Sequence, residues 1–361
     1  MLNLFTNPGR VQRGLGFRDV AMHVGFFLLA ILCTFTRSAL GATTRIGYSS
    51  FDGTQTPGWI AREADLFAKH GLNVELVFTA GDRAIVPLIA GDTPIATVAG
   101  PSAIAARLGS SSWPKYEPTA RTTKQEVFPD VIIIAHIFDS MVFSLMVTPD
   151  VRSVADLRGK RLGANRFGPA TELPLLHLLR QEGIDPVKDV TIVQIGSQAE
   201  TLVALRAGSI QGAMLALPAT ADAKKLGMIK LIDMARLGIE YPQTVIATTE
   251  RFLRGRRDTV LRFTRAYAEA IHRFVNDREF SLKVIAKYSH IQDRSTLERM
   301  YDDHAKYVKH IPAPTPRSIK NVLEQLAMRD WRALGYPPDD YVDRSIIVEL
   351  EREGLFQQIW R

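Results

Sequence analysis

A chain of 361 residues with 46% apolar content can bury one large core or fill two lobes of ordinary domain size. Its charged residues, 23% of the total, mix both signs without a long biased tract, which excludes a charged disordered tail. The formal net charge is +7, but residues 1–41 hold Arg10, Arg13, Arg18 and Arg37 against Asp19. The remainder is only weakly basic, and nucleic acid is not expected as a partner.

Three arginines precede an apolar run over residues 20–35, which includes Phe26, Phe27, Leu28, Leu29, Ile31 and Leu32. Ala39-Leu40-Gly41 follows with small residues at both ends. This order predicts a secretory signal peptide over residues 1–41, cleaved near Gly41 or Ala42. The alternative is a retained anchor, although the run is shorter than the ~20 residues of a spanning helix and His23 interrupts its start. Cys33, the single cysteine, lies in this segment, and the bulky Leu32 before it is wrong for lipoprotein processing. The mature chain would lack cysteine, which excludes thiolate catalysis, disulfides and cysteine-ligated metals.

Beyond residue 42, short apolar strands alternate with amphipathic helices. A strand is expected over 45–48, then a helix over 59–70 with Ile60, Ala64 and Phe67 on one face and Gly71 as its stop. Next come a strand over 73–78, a short helix ending at Gly91, a strand over 94–98 and a small-residue helix over 101–108. The apolar run 131–137 reads as a buried parallel strand. The same grammar then repeats. Ser153 to Asp156 gives a capping-box-like start to a one-turn helix; 161–165 is a strand, 172–182 a helix and 190–195 a strand. Ser197 and Glu200 frame a capping box before another helix, and 211–217 closes the pattern as a strand. Such alternation predicts an α/β fold with parallel sheets and helices on both faces.

From Val260 onward the chain reads as mostly helical. Val260, Phe263, Tyr267, Ile271 and Phe274 form one amphipathic stripe, and further helices are expected over 281–288, 296–307 and 316–334. Residues 110–130 break the rhythm. They are polar, hold Pro114, Pro118 and Pro129, and have no apolar period, as a surface excursion or an insertion would.

Catalytic motifs of the HExxH, GxSxG and GxxxxGK types are absent. The histidines are scattered. His304 and His310, six apart, point to different sides of a helix, so structural roles are expected, with no metal site and no cofactor. Asp302-Asp303 reads as a solvated helix face. What remains is four strand-to-helix turns of small polar residues, at 49–56, 100–102, 165–171 and 196–197. Ligands collect beyond the carboxyl ends of strands in open parallel sheets, and free N–H groups at helix starts favour polar or anionic molecules. One such turn is an ordinary cap; four, spread over both halves of the chain, favour a ligand site.

On these residues the sequence resembles the nitrate/sulfonate/taurine-type substrate-binding proteins of ABC importers. That family shares its superfamily with proteins that bind or make thiamin-pyrimidine precursors. The segments that carry the resemblance include IGYSSFDGTQTPGWIAREADLFAKHGLNVELVFTAGD, LIAGDTPIATVAGPSAIAA, SVADLRGKRLGANRFGPATELPLLHLLRQEG and TERFLRGRRDTVLRFTRAYAEAIHRF. It implies a type II periplasmic-binding-protein fold, with two α/β lobes, a two-strand hinge and a ligand cleft between them that closes about the hinge. Residues 42–143 would begin lobe 1, with the 110–130 insertion; 144–235 would form lobe 2; 236–361 would return to lobe 1 and add the carboxyl-terminal helices. The crossings would fall near 143–148 and 230–248.

Carried over by position, the resemblance implies Ser50, Phe51 and Asp52 at the ligand, with Gly100, Pro101 and Ser102. From the second lobe it implies Asn165, Arg166, Phe167 and Gly168, then Leu217 and Pro218. Arg166 either grips a carboxylate or sulfonate with two prongs or is an ordinary surface arginine. The 110–130 stretch departs from the family pattern. The function so implied is a monomeric periplasmic protein that captures a small anionic or heterocyclic organic molecule for the transmembrane subunits of an ABC permease. Two alternatives remain: a sensor or accessory protein that delivers ligand to a receptor, and a lyase or biosynthetic enzyme on the same fold. Enzymes of the superfamily that make thiamin pyrimidine rely on a cysteine-rich motif, which this chain lacks.

Overall fold

The computed structural model describes residues 43–109, 129–165, 169–328 and 330–361. The expected signal peptide, most of the 110–130 stretch, and Arg166, Phe167 and Gly168 lie outside the described residues.

Among the described residues ten strands follow in chain order: β1 (Thr44–Tyr48), β2 (Val74–Phe78), β3 (Ile95–Val98), β4 (Val131–Ser140), β5 (Ser144–Val147), β6 (Arg161–Asn165), β7 (Thr191–Ile195), β8 (Gly212–Leu215), β9 (Ile229–Asp233) and β10 (Glu240–Thr249). They form two five-stranded sheets, ordered β2-β1-β3-β10-β4 and β7-β6-β8-β5-β9. The chain leaves the first sheet after Ser140, enters the second at Ser144, and returns between Asp233 and Glu240. This is the two-lobed α/β fold expected from the sequence.

The expectation of parallel sheets needs correction. β1 is parallel to β2 and β3, but β10 runs antiparallel to both β3 and β4, and β5 runs antiparallel to β8 and β9. The cause is topological. A chain that leaves and re-enters a sheet on the side facing the other lobe must send its outgoing and returning strands in opposite directions. β4 is buried along Val131–Phe138 as its apolar run required, yet its hydrogen-bonded neighbour β10 opposes it.

Two helix expectations also change. The stretch 59–70 is two helices, Thr56–Glu63 and Leu66–Lys69, because Asp65 takes a left-handed conformation (φ 54°) that interrupts the ladder. The expected 316–334 helix ends at Leu326. A separate 3₁₀ turn, Trp331–Gly335, starts where the Asp330 side chain accepts from Arg332 N–H. The capping boxes at Ser153/Asp156 and Ser197/Glu200 are both formed.

One core cluster gathers Trp59, Ile60 and Phe67 against the stripe of the Arg257–Asn276 helix. Another spans both sheets. It joins Ile104, Ile133 and Val245 of the first lobe to Leu145, Leu162 and Leu176 of the second. Full burial of each such side chain contributes roughly 1.5–3 kcal/mol, so the seam between the lobes is part of the core. No helix of the described residues is long and apolar enough to cross a membrane.

Candidate functional site

The Arg294–Ala305 helix starts at Asp293, whose carboxylate accepts from Thr296 N–H at 3.0 Å. Hydrogen bonds from the Thr296 and Ser295 hydroxyls hold that carboxyl down at about 2. The last turn of the helix carries His304, which is 1% exposed. Its Nδ1 lies 2.7 Å from the Met300 carbonyl oxygen, so Nδ1 is assigned the hydrogen and donates. Nε2 has no partner. The ring is wedged between Phe138, edge-on at 5.9 Å, and Gly53, where a Cβ would stand 2.4 Å from Nδ1. The turn after β1 therefore needs glycine at this place.

His304 borders a cavity of 110 Å³ between the lobes. The crossing segment supplies Val142, Phe143 and Ser144. The second lobe supplies Leu217, Thr220, Lys230 and Asp233, the returning segment Ala235 and Arg236, and the first lobe Asp303, His304, Lys306 and Tyr307. Lys230, Arg236 and Lys306 thus share the lining with Asp233 and Asp303. Asp233 lies 3.1 Å from Lys230 Nζ and 3.7 Å from Arg236 Nε. Lys306 stands 5.1 Å over the Tyr307 ring. Such a lining suits a small molecule with an anionic group and polar hydrogens.

The wall on the first lobe is fastened to β4. His136 is fully buried, with Nδ1 2.8 Å from Asp139 Oδ1, and Lys309 donates to the other carboxylate oxygen. Burial pushes the His136 ring down, which outweighs the pull of Asp139. Burial also pushes Asp139 up, but His136 and Lys309 outweigh it and hold this carboxyl below its usual range. These contacts and Lys309 N–H to Ile137 O anchor the segment that follows Tyr307.

A second polar group lies where β3 ends and β10 begins. Ser102 donates to Asp82, whose carboxyl is pushed up to about 6 by burial. The Tyr241 hydroxyl is buried without a partner, and burial followed by the charge of Asp82 pushes it well up. Gly100 backs directly onto Pro242, where a Cβ would come within 2.3 Å of the carbonyl oxygen.

The residues implied by the sequence are distributed among these features. Leu217 lines the cavity, and its bond to Pro218 is cis. Ser50 is half-buried. Asp52 is occupied as a cap, accepting from Thr54 N–H at 2.9 Å, and the next residue supports His304. Phe51 is exposed and lies 4.1 Å from Phe78, ring to ring. Gly100, Pro101 and Ser102 are buried in the second polar group rather than at the cavity. Asn165 ends β6 opposite Ile195. Sequence reasoning missed His304, Lys306, Lys230, Arg236 and Thr220. The spacing of His304 to His310 points only to a structural role, and no local signal reveals a cavity assembled from four distant segments. Among the described residues no group of three or more His, Cys, Asp or Glu side chains is placed to hold a metal.

Residues 116–279 match the family model described as NMT1/THI5 like, just under half of the chain, beginning inside the polar 110–130 stretch. The putative binding protein YtlA of Bacillus subtilis (strain 168) is 23% identical over 218 residues. That match covers 59% of this chain and 60% of the relative, less than two thirds of the relative's length. The alkanesulfonate-binding protein SsuA from Xanthomonas axonopodis pv. citri, bound to MOPS, superposes with a TM-score of 0.64 at 18% identity, over 86% of this chain and 98% of that one. The desulfurization enzyme DSZB superposes with a TM-score of 0.58 at 15% identity, over 86% and 99% of the two chains. At these identities the structural likeness speaks for the fold. Residues 116–279 are thus similar to the NMT1/THI5-like family, and the chain has the periplasmic-binding-protein fold that the alkanesulfonate-binding protein SsuA also adopts.

Proposed function

We propose that this protein is exported and captures a small organic anion between its two lobes for delivery to an ABC-type permease. The observation that carries the reading is the 110 Å³ cavity, walled by both lobes and by the segment that crosses between them, with three cations in its lining. Hinge closure then encloses the ligand, and release follows when the walls separate. The basic, apolar and small-residue pattern of residues 1–41 supports export, and residues 42–143, 144–235 and 236–361 would be the lobe segments. Arg166 remains a proposed second grip on the anion, and the other turn residues remain proposed contacts in an opened cleft.

The test is calorimetric titration and thermal shift of the purified protein with small sulfonates, carboxylates and phosphonates. Binding of at least one class is expected, with stabilisation of about 2.7 kcal/mol at a hundredfold excess over Kd. Substituting Lys230 and Lys306 together by alanine should weaken that binding by about tenfold or more. Failure of every class to bind would sink the proposal. The likeness to a desulfurization enzyme motivates one control: the ligand should be recovered chemically unchanged, and its consumption would favour the enzyme alternative.

A further inference from the structure

His304 gives the cavity a directional preference that its charges alone do not. The Met300 carbonyl can only accept, so the 2.7 Å contact places a hydrogen on Nδ1, and in the neutral ring Nε2 is then an acceptor. The ring cannot turn freely, because Gly53 and Phe138 hold its faces and edge. Ser144, Thr220 and Tyr307 also line the cavity and carry hydroxyls, yet none of them donates to Nε2. His304 is 1% exposed and lines the cavity, and its buried, unpartnered Nε2 needs a hydrogen from whatever enters.

We infer that the captured molecule carries, besides its anionic group, a hydroxyl or amine hydrogen that donates to His304 Nε2. This deepens the solute-binding reading above and rests on it. The anionic end is held by Lys230, Arg236 and Lys306, and the donor end meets His304, with Asp303 able to accept beside it. A site built to hydrogen-bond a ligand group rejects the isostere lacking it more strongly than an apolar pocket rejects a missing methylene, because its own polar group is then left unpaired.

The experiment uses isosteric probes that differ only at the tail. The sulfonates are 2-hydroxyethanesulfonate, 2-aminoethanesulfonate and propane-1-sulfonate; the carboxylates are 3-hydroxypropanoate and butanoate. In titrations of the full chain, the donor-bearing member of at least one set should bind about tenfold or more tightly than its methyl counterpart. His304→Phe should abolish the difference, whereas His304→Gln, which keeps an acceptor, should retain part of it. Equal binding of the donor and methyl probes to the unaltered protein overturns the inference while leaving the solute-binding reading intact. So does a preference that persists in a folded His304→Phe variant. If that variant does not fold, the comparison of donor and methyl probes on the unaltered protein decides alone. If no probe of either head group binds, the cationic cavity is not the capture site and the inference falls with it.

Discussion

Asp82 lies just beyond β2, its carboxyl pushed from 3.8 up to about 6 by burial, with the hydrogen bond from Ser102 offsetting only part of that effect. The fold prefers the neutral acid. Its contribution to stability is fully present below about pH 4 and is lost as the pH rises through 6. Asp82→Asn keeps a neutral group of similar shape. Urea denaturation should show it more stable than the parent by about 3 kcal/mol at pH 8, with no difference near pH 4. A gap that does not change with pH would contradict this. Gly53 makes a second residue-scale case. Alanine there must displace the His304 ring, and a cost of about 1–3 kcal/mol is expected from the urea midpoint, accompanied by weaker ligand binding. Neither effect was legible in the sequence. Asp82 looked like any loop carboxylate, and Gly53 like one more small residue in a turn, because each owes its meaning to a partner brought up by the fold.

Elements were far more legible than site residues. Where a rule is local it held: Ser197 and Glu200 announce a capping box, and both of its hydrogen bonds are formed, at 3.2 and 2.6 Å. Ser197→Ala should therefore cost about 1 kcal/mol in chemical denaturation and leave ligand affinity unchanged. Strands β1, β2, β3, β6 and β7 could be located from alternation or short apolar runs bounded by turns. The direction of β10 could not, since hydrophobicity records burial and not the orientation of a neighbour. Pro242 near its start, together with register shifts against β4, further blurs the strand pattern. The continuous helix expected over 59–70 failed for a different reason. Ala64 and Phe67 keep the apolar spacing across the break, while the backbone turns left-handed at Asp65 between them.

At the scale of the whole molecule, the seam is the feature that governs behaviour. The Pro169–Gln181 helix of the second lobe buries Leu173, Leu175 and Leu176 in the cluster that also holds Ile104, Ile319 and Val322 of the first. Shared apolar surface of this kind couples the lobes in unfolding. Scanning calorimetry should show one endotherm without ligand; two resolved transitions would mean that the lobes are energetically separate. The resemblance supplied the two-lobed plan, and the strand–helix repetition supplied its α/β character. The cavity stayed hidden because Ser144, Thr220, Lys230 and His304 come from distant parts of the chain and meet only when both sheets are complete.

The position of β10 also bears on the order of assembly. Every strand of the second sheet lies between Ser144 and Asp233, whereas the first sheet holds β10 between β3 and β4. A chain emerging amino end first has synthesised β1 to β4 early but cannot join β3 to β4 until residue 249 has followed. The middle of the chain can close its sheet while the beginning still waits. Until then, β3 and β4 expose unpaired edges, and an escorting factor that shields open strands would have its work on the first lobe rather than the second.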